Sequence, residues 1–238
     1  TTFDMYEHNI SSSNTTTSGA SNIYDSTFYF RTSDNRVYKV LDNNAGTAYS
    51  GSEPTSTSSS TFVLGGYTLK YMYTISASDS TKYLTPDFMP VATDSTVSAA
   101  ATDGKIESLI VTVGSGYTDG TYYAAVYGDG TSQGTSSGAI VRITVSGGAI
   151  ASFGLTAGTD TTIHDGGAGY TYGTVNLGSS YTFSDNGLSS ASSMGSGSGG
   201  VITVEISPKS GHGYDAAKEL GGHYVMMRAT LTGAEADD

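Results

Sequence analysis

Residues 103–206 read as one β-rich unit written twice, and no other feature limits the fold as strongly. The first copy opens on DGKIESLIVTV at 103–113, turns through GSGYT at 114–118 and closes on SGAIVRITV at 137–145. The second opens at 147–157, where Ile150 aligns with Ile106, Ser152 with Ser108, Phe153 with Leu109 and Thr156 with Thr112. GAGYT at 167–171 repeats the turn, and SGGVITVEI at 198–206 repeats the closing strand. In a strand, Ala139, Val141, Ile143 and Val145 point one way and Ile140, Arg142 and Thr144 the other, a pattern that Ile202, Val204 and Ile206 repeat. Internal similarity of this kind marks supersecondary units packed on each other. Two copies are too few for a solenoid, so the pattern predicts one β module with pseudo-symmetry.

The flanking text is also β-like. Residues 1–26 are polar and predict a loosely ordered arm. Asn9 and Asn14 sit there in Asn-x-Ser/Thr triplets, which chance supplies in Ser/Thr-rich text. Phe28 and Phe30 alternate with Tyr29 and Arg31, and 37–42 forms the second strand of a hairpin after a turn at 33–36. Residues 43–61 are a polar loop around Pro54. Tyr67, Leu69, Tyr71, Tyr73 and Ile75 alternate, which marks one buried strand face. Pro86 and Pro90 make 79–91 an edge or connecting segment, because proline donates nothing to a ladder. Residues 92–102 read as a linker. Asp215 caps a short helix that Gly221 and Gly222 end, and 223–231 is a final strand. The expectation is therefore all-β, with short antiparallel strands in two β-sandwich-like lobes. One lobe is 27–102 plus 207–238, and the other is the duplicated Gly-rich insert 103–206.

A formal charge of −12, with only 10 Lys and Arg, argues against phosphate-backbone binding. Zero cysteines remove disulfides and thiolate metal sites. No run approaches the ~20 apolar residues of a membrane span. The chain starts at Thr1 without a signal pattern, as a processed chain or part of a longer frame would.

The chemical motifs are few. The run GSGSGG at 195–200 satisfies G-x-G-x-x-G, but it follows Ser-rich loop and opens a strand, whereas the dinucleotide fingerprint follows a strand and opens a helix. The two Gly-x-Gly-Tyr-Thr turns are better explained by positive φ, with Tyr117 and Tyr170 packing beside them, than by anion binding. Asp160, His164 and Asp165 form the tightest group of potential ligands, yet a metal needs three or four converging donors. His8, His212 and His223 lie apart from one another. Glu205 and Glu219 are separate carboxylates that would serve as an acid/base pair only if the fold joined them. No catalytic, cofactor or metal position is assigned, and no metal or organic cofactor is expected to be required.

Four segments carry a family resemblance: RVYKVLD at 36–42, GGYTLKYMYTI at 65–75, YLTPDFMPV at 83–91, and GHGYD at 211–215 through ELGGHYVMM at 219–227. Together they resemble the baseplate wedge subunit, gene product eight, of T-even-type contractile-tailed bacteriophages, particularly forms from marine cyanobacterial phages. The likeness spans 27–91 and 207–232, with the duplicated insert between. It implies a structural, non-enzymatic protein of the virion tail baseplate, assembled in the host cytoplasm against other wedge proteins, and a homodimer. The consecutive apolar residues Tyr224, Val225, Met226 and Met227 add a physical reason for association, since both faces of such a strand need cover. Two other readings stand beside this one. The Tyr/Ser/Gly-rich loops suit a receptor-binding or adhesin module, and paired carboxylates would suit a carbohydrate-active β enzyme.

Overall fold

The computed structural model describes residues 1–8, 19–130, 138–156, 158–180 and 188–230. The sequons at Asn9 and Asn14, and Leu231 of the expected final strand, lie outside the described residues. The protein is all-β, with 33% of residues in strands and 11% in helices.

The first sheet follows from alternating Tyr, Val and Leu. Strands β1 (Tyr29–Arg31), β2 (Arg36–Asp42), β3 (Phe62–Leu64) and β4 (Tyr67–Thr74) form an antiparallel sheet in the order β1-β2-β4-β3. Asn35 takes φ 62° in the β1–β2 turn, which asparagine tolerates. Gly65 and Gly66, both at positive φ, turn the chain between β3 and the strand expected from Tyr67, which makes the β3–β4 hairpin. The sequence marked one buried face on β4, but all of Tyr67–Tyr73 is buried. Tyr38, Val40, Leu69 and Tyr71 pack on one side with Tyr67 and Val97, while Val37 and Met72 pack with Phe28, Ala216 and Leu220.

Three expectations for the flanks need correction. Residues 1–8 are not loose: Asp4 and Met5 are buried, the Asp4 carboxylate accepts from the Thr27 backbone N–H (2.7 Å), and Tyr6 N–H donates to the Val40 carbonyl (2.8 Å). The segment 79–91 begins inside a helix, α1 (Ala77–Tyr83), and the linker 92–102 holds a second, α2 (Ser95–Ala100). Their caps explain them. Ser76 Oγ accepts from Asp79 N–H, and Asp94 accepts from the N–H groups of Thr96 and Val97.

Among the described residues the second apolar core draws on those between Ile106 and Ile206. Strands β5 (Ile106–Ser115) and β11 (Ser198–Ile206) pair as an antiparallel ribbon. The strands β6 (Gly120–Gly128), β7 (Ile140–Ser146), β8 (Ala149–Ile150), β9 (Thr162–Asp165) and β10 (Gly173–Val175) form a sheet in the order β10-β6-β7-β8, with β9 also on β7, and the antiparallel sheets of the fold include a curled half-barrel.

Several positions that align within 103–206 make equivalent contacts. Ile106 is in register with Ile206, and Ile150 with Val145, so each opening strand pairs with the other half's closing strand. Tyr117 N–H donates to the Gly148 carbonyl (3.0 Å) and Tyr170 N–H to the Gly104 carbonyl (3.1 Å). Tyr117 Oη accepts from Gly200 N–H (2.9 Å) and Tyr170 Oη from Ala139 N–H (3.0 Å). Gly114 and Gly167, at φ 61° and 58°, approach those same backbones so closely that a Cβ would collide with them. The halves differ in the strands themselves: β5 runs for 10 residues and β8 for 2.

A last helix, α3 (Ala216–Glu219), is capped by Asp215 and ends at Gly221, with φ 72°. Beyond it the expected strand is absent: residues 223–230 pair with no strand among the described residues. Their apolar run joins no sheet among the described residues, and propensity alone does not make a strand.

Candidate functional site

Two places concentrate side chains that the fold alone does not require. The first is a buried ionic cluster where the first sheet meets β5 and the C-terminal segment. Lys39 on β2 and Lys70 on β4 are cross-strand neighbours, each 1% exposed or less. Like charges side by side in a sheet repel. Each lysine therefore takes a carboxylate from elsewhere in the chain. Lys39 Nζ lies 2.9 Å from Glu219 Oε2 on α3 and 2.9 Å from His212 Nδ1, with the Tyr6 ring centroid 4.0 Å away. Lys70 Nζ lies 3.2 Å from Glu107 Oε1 on β5, which Lys105 also approaches at 3.8 Å. Glu219 Oε1 accepts from Gly213 N–H (2.7 Å), which anchors the loop before α3.

These contacts set the proton positions. Burial alone would raise the Glu219 carboxyl, but the Lys39 ammonium 2.9 Å away outweighs it and holds the group down at about 2. Burial drives His212 down to about 4, helped by Lys39, so its imidazole is neutral and accepts from Lys39 at Nδ1. Burial also lowers Lys39 and raises the Tyr6 phenol, the latter with help from Glu205 and Glu219. A buried lysine beside a histidine and a carboxylate has the parts of a proton relay. Here Lys39 and His212 are at most 1% exposed, so nothing from solution reaches them, and the cluster acts as a joint.

The sequence-derived candidates separate in space. Glu205 and Glu219 share no hydrogen bond: Glu205 Oε2 holds His8 through its ring (3.0 Å) and its N–H (3.2 Å), while Glu219 belongs to Lys39. Ser108 sits across from Glu205, but its buried hydroxyl has no hydrogen-bond partner among the described residues, so no Ser-His-Glu relay forms. Asp160 accepts from Thr156 N–H, His164 packs edge-on against Tyr123, and Asp165 accepts from Gly167 N–H. No three His, Asp or Glu side chains converge as metal ligands among the described residues. The run 195–200 leads into β11, as its context indicated. His223 packs against Tyr24, far in role from His212. Sequence reasoning missed Lys39, Lys70 and Glu107. The available signal was a lysine inside each of the apolar runs VYKVL and TLKYMY.

The second place is a groove of about 790 Å³, floored by Ile75 and Leu220 and walled by Tyr29, Tyr83, Phe88, Met89, Tyr224 and Met226. Asp79 and Asp87 stand on its rim. The wall at 83–91 is tied to the sheet through Tyr73 Oη, which donates to the Pro90 carbonyl (3.1 Å). Phe88 packs edge-on against Tyr224 at 5.6 Å. From Tyr224 onward the chain carries large apolar side chains into solvent: Val225 and Met227 are each 90% exposed.

Among the described residues no helix is long and apolar enough to cross a membrane. Comparison with family models, with curated proteins and with solved structures found no match to this chain.

Proposed function

We propose that this protein is a structural component of a phage virion, a tail baseplate wedge subunit that works by binding neighbouring wedge proteins and carries out no turnover chemistry. One observation carries the reading. The four segments that resemble the wedge family lie far apart in sequence, yet they meet: 36–42 is β2, 65–75 holds β4, 83–91 is the groove wall, and 211–227 supplies His212, Glu219 and the exposed run beyond α3. They form one continuous region with the ionic joint beneath and an apolar, solvent-facing groove above. Contiguous exposed apolar surface of this kind is typical of a protein–protein contact.

The test is reconstitution. The intact chain, coexpressed with the products of the genes beside its own, should co-migrate with tail proteins in a particle of fixed stoichiometry. A chain that stays apart from every such product would overturn the reading. A second reading, an adhesin-type module, draws on the aromatic walls with Asp79 and Asp87 on the rim, which is the composition of a sugar-binding groove. Binding on a glycan array that Phe88→Ala and Tyr83→Ala abolish would favour it.

A further inference from the structure

Residues 223–230 follow Gly221 and Gly222, and the last backbone hydrogen bond in this part of the chain is Gly222 N–H to the Ala217 carbonyl (2.7 Å). From His223 to Thr230 no main-chain group is hydrogen-bonded to any described residue. Tyr224 and Met226 border the groove yet are 83% and 41% exposed, and Val225 and Met227 are 90% exposed. Among the described residues the segment thus lacks both main-chain partners and full cover for its apolar side chains. Tyr, Val and Thr favour the pleated conformation. A helix is disfavoured by the Gly-Gly entry and by the run of β-favouring Tyr, Val and Thr. Strand addition to an open sheet edge satisfies the N–H and C=O groups and covers both faces in one step.

We propose that residues 223–230 are a donor strand that pairs with the open sheet edge of a non-identical partner protein. This rests on the assembly reading above and names the contact by which the chain would join its neighbours. The acceptor is a different protein for two reasons on this molecule. The outer strands of its own four- and five-stranded sheets, β1, β3, β8, β9 and β10, have only 2 to 4 residues each, too short to take up such a segment, and the long strands β5 and β11, which pair as strands only with each other, are bordered by β8, β9 and β10. A net charge of −12 also makes two copies repel.

The experiment is amide hydrogen exchange on the intact chain, alone and in complex with each coexpressed product of a neighbouring gene, together with the variants V225P and M226P. In the free chain the amides of 224–230 should exchange at unprotected rates. In the complex they should slow by about a hundredfold or more at alternate positions, the signature of one strand edge bonded. Adjacent amides point to opposite edges, so one of the two proline variants should weaken the complex by more than about tenfold while the other weakens it less. Neither substitution removes a hydrogen bond of the free fold. A complex in which these amides stay as fast as in the free chain, or in which both proline variants bind like the parent, would overturn the proposal and leave the assembly reading standing. Protection of 224–230 in the chain alone, with a doubled mass, would assign the acceptor to a second copy and overturn the non-identical partner. A chain that joins no neighbour's product overturns both readings.

Discussion

Residues 207–222 and residues 223–230 are consecutive, and the second stretch is the more apolar, yet the first is docked and the second is not. His212 and Ala216 are at most 1% exposed, whereas Val225 and Met227 are 90% exposed. Apolarity alone therefore did not decide which part packs. The docked stretch brings Glu219 to Lys39, and a lysine buried in the middle of a sheet creates a demand that a carboxylate meets and a methionine does not. Leu220 and Ala216 then fill the space beside Phe28 and Met72. The stretch after Gly221 finds neither a charge to neutralise nor a strand to join.

The sharpest way to break this comparison is to remove the charge from the docked side. Glu219→Gln keeps the shape but leaves Lys39 buried without its anion, and should cost roughly 3–5 kcal/mol in urea denaturation. The double variant Lys39→Met with Glu219→Leu should recover most of that loss, because an apolar pair removes the demand along with its answer. If Glu219→Gln costs under about 1 kcal/mol, the ion pair is not what docks 207–222.

Acid should loosen the same stretch next. His212 has a folded pKa of about 4 against 6.5 unfolded, so on acidification the unfolded chain takes up the proton first. Stability contributed by the neutral imidazole is present above pH 6.5, falls as pH drops toward 4, and on the order of 3 kcal/mol is at stake. Below about 4.5 Glu219 continues the loss, since its carboxyl is held at about 2 when folded. Denaturation midpoints measured between pH 7 and 4 should therefore decline, and His212→Asn, with no proton to gain, should flatten the slope in that window.

The boundary between the two stretches is Gly221, at φ 72°, where an added Cβ would land 2.7 Å from Tyr24 Cδ1. Gly221→Ala should cost roughly 1–2 kcal/mol through backbone strain and that contact. The expected signature is increased amide exchange in 216–222 and no change in 223–230, which has no protection to lose.

The same contrast explains what the sequence disclosed. The all-β class, the β1–β2 hairpin and the Asp215-capped helix were legible because each depends on local spacing and capping. So were the packed tyrosines beside the two Gly-x-Gly turns, Tyr170 buried and Tyr117 partly so. Helix α1 was missed although Ser76 with Asp79 is a capping pair, because Pro86 and Pro90 mark the stretch as a connection, and α2 was missed because 92–102 is small and polar. The joint was legible only as a lysine inside each of two apolar runs, with no sign of its partners. Lys39 looks like a solvent-facing residue of a half-buried strand, and its partners stand 173 and 180 positions away. The strand expected at 223–231 failed for the complementary reason: its pattern was right for a sheet, but a strand also requires an edge to join.

The smallest effect belongs to the undocked side. Val225→Ser and Met227→Ser remove apolar groups that are 90% exposed and touch no core cluster, so the free protein has nothing to lose from either change. Surface changes of this type fall within about 0.5 kcal/mol of the parent. The urea midpoint and its slope should both match the unaltered chain, because neither the native contacts nor the surface exposed on unfolding changes appreciably. A measured loss above about 1 kcal/mol would mean that 223–230 packs on its own protein in solution. The two stretches would then differ in degree of docking rather than in kind, and Leu220→Ala combined with Met227→Ser would show it by losing more than the sum of the single changes.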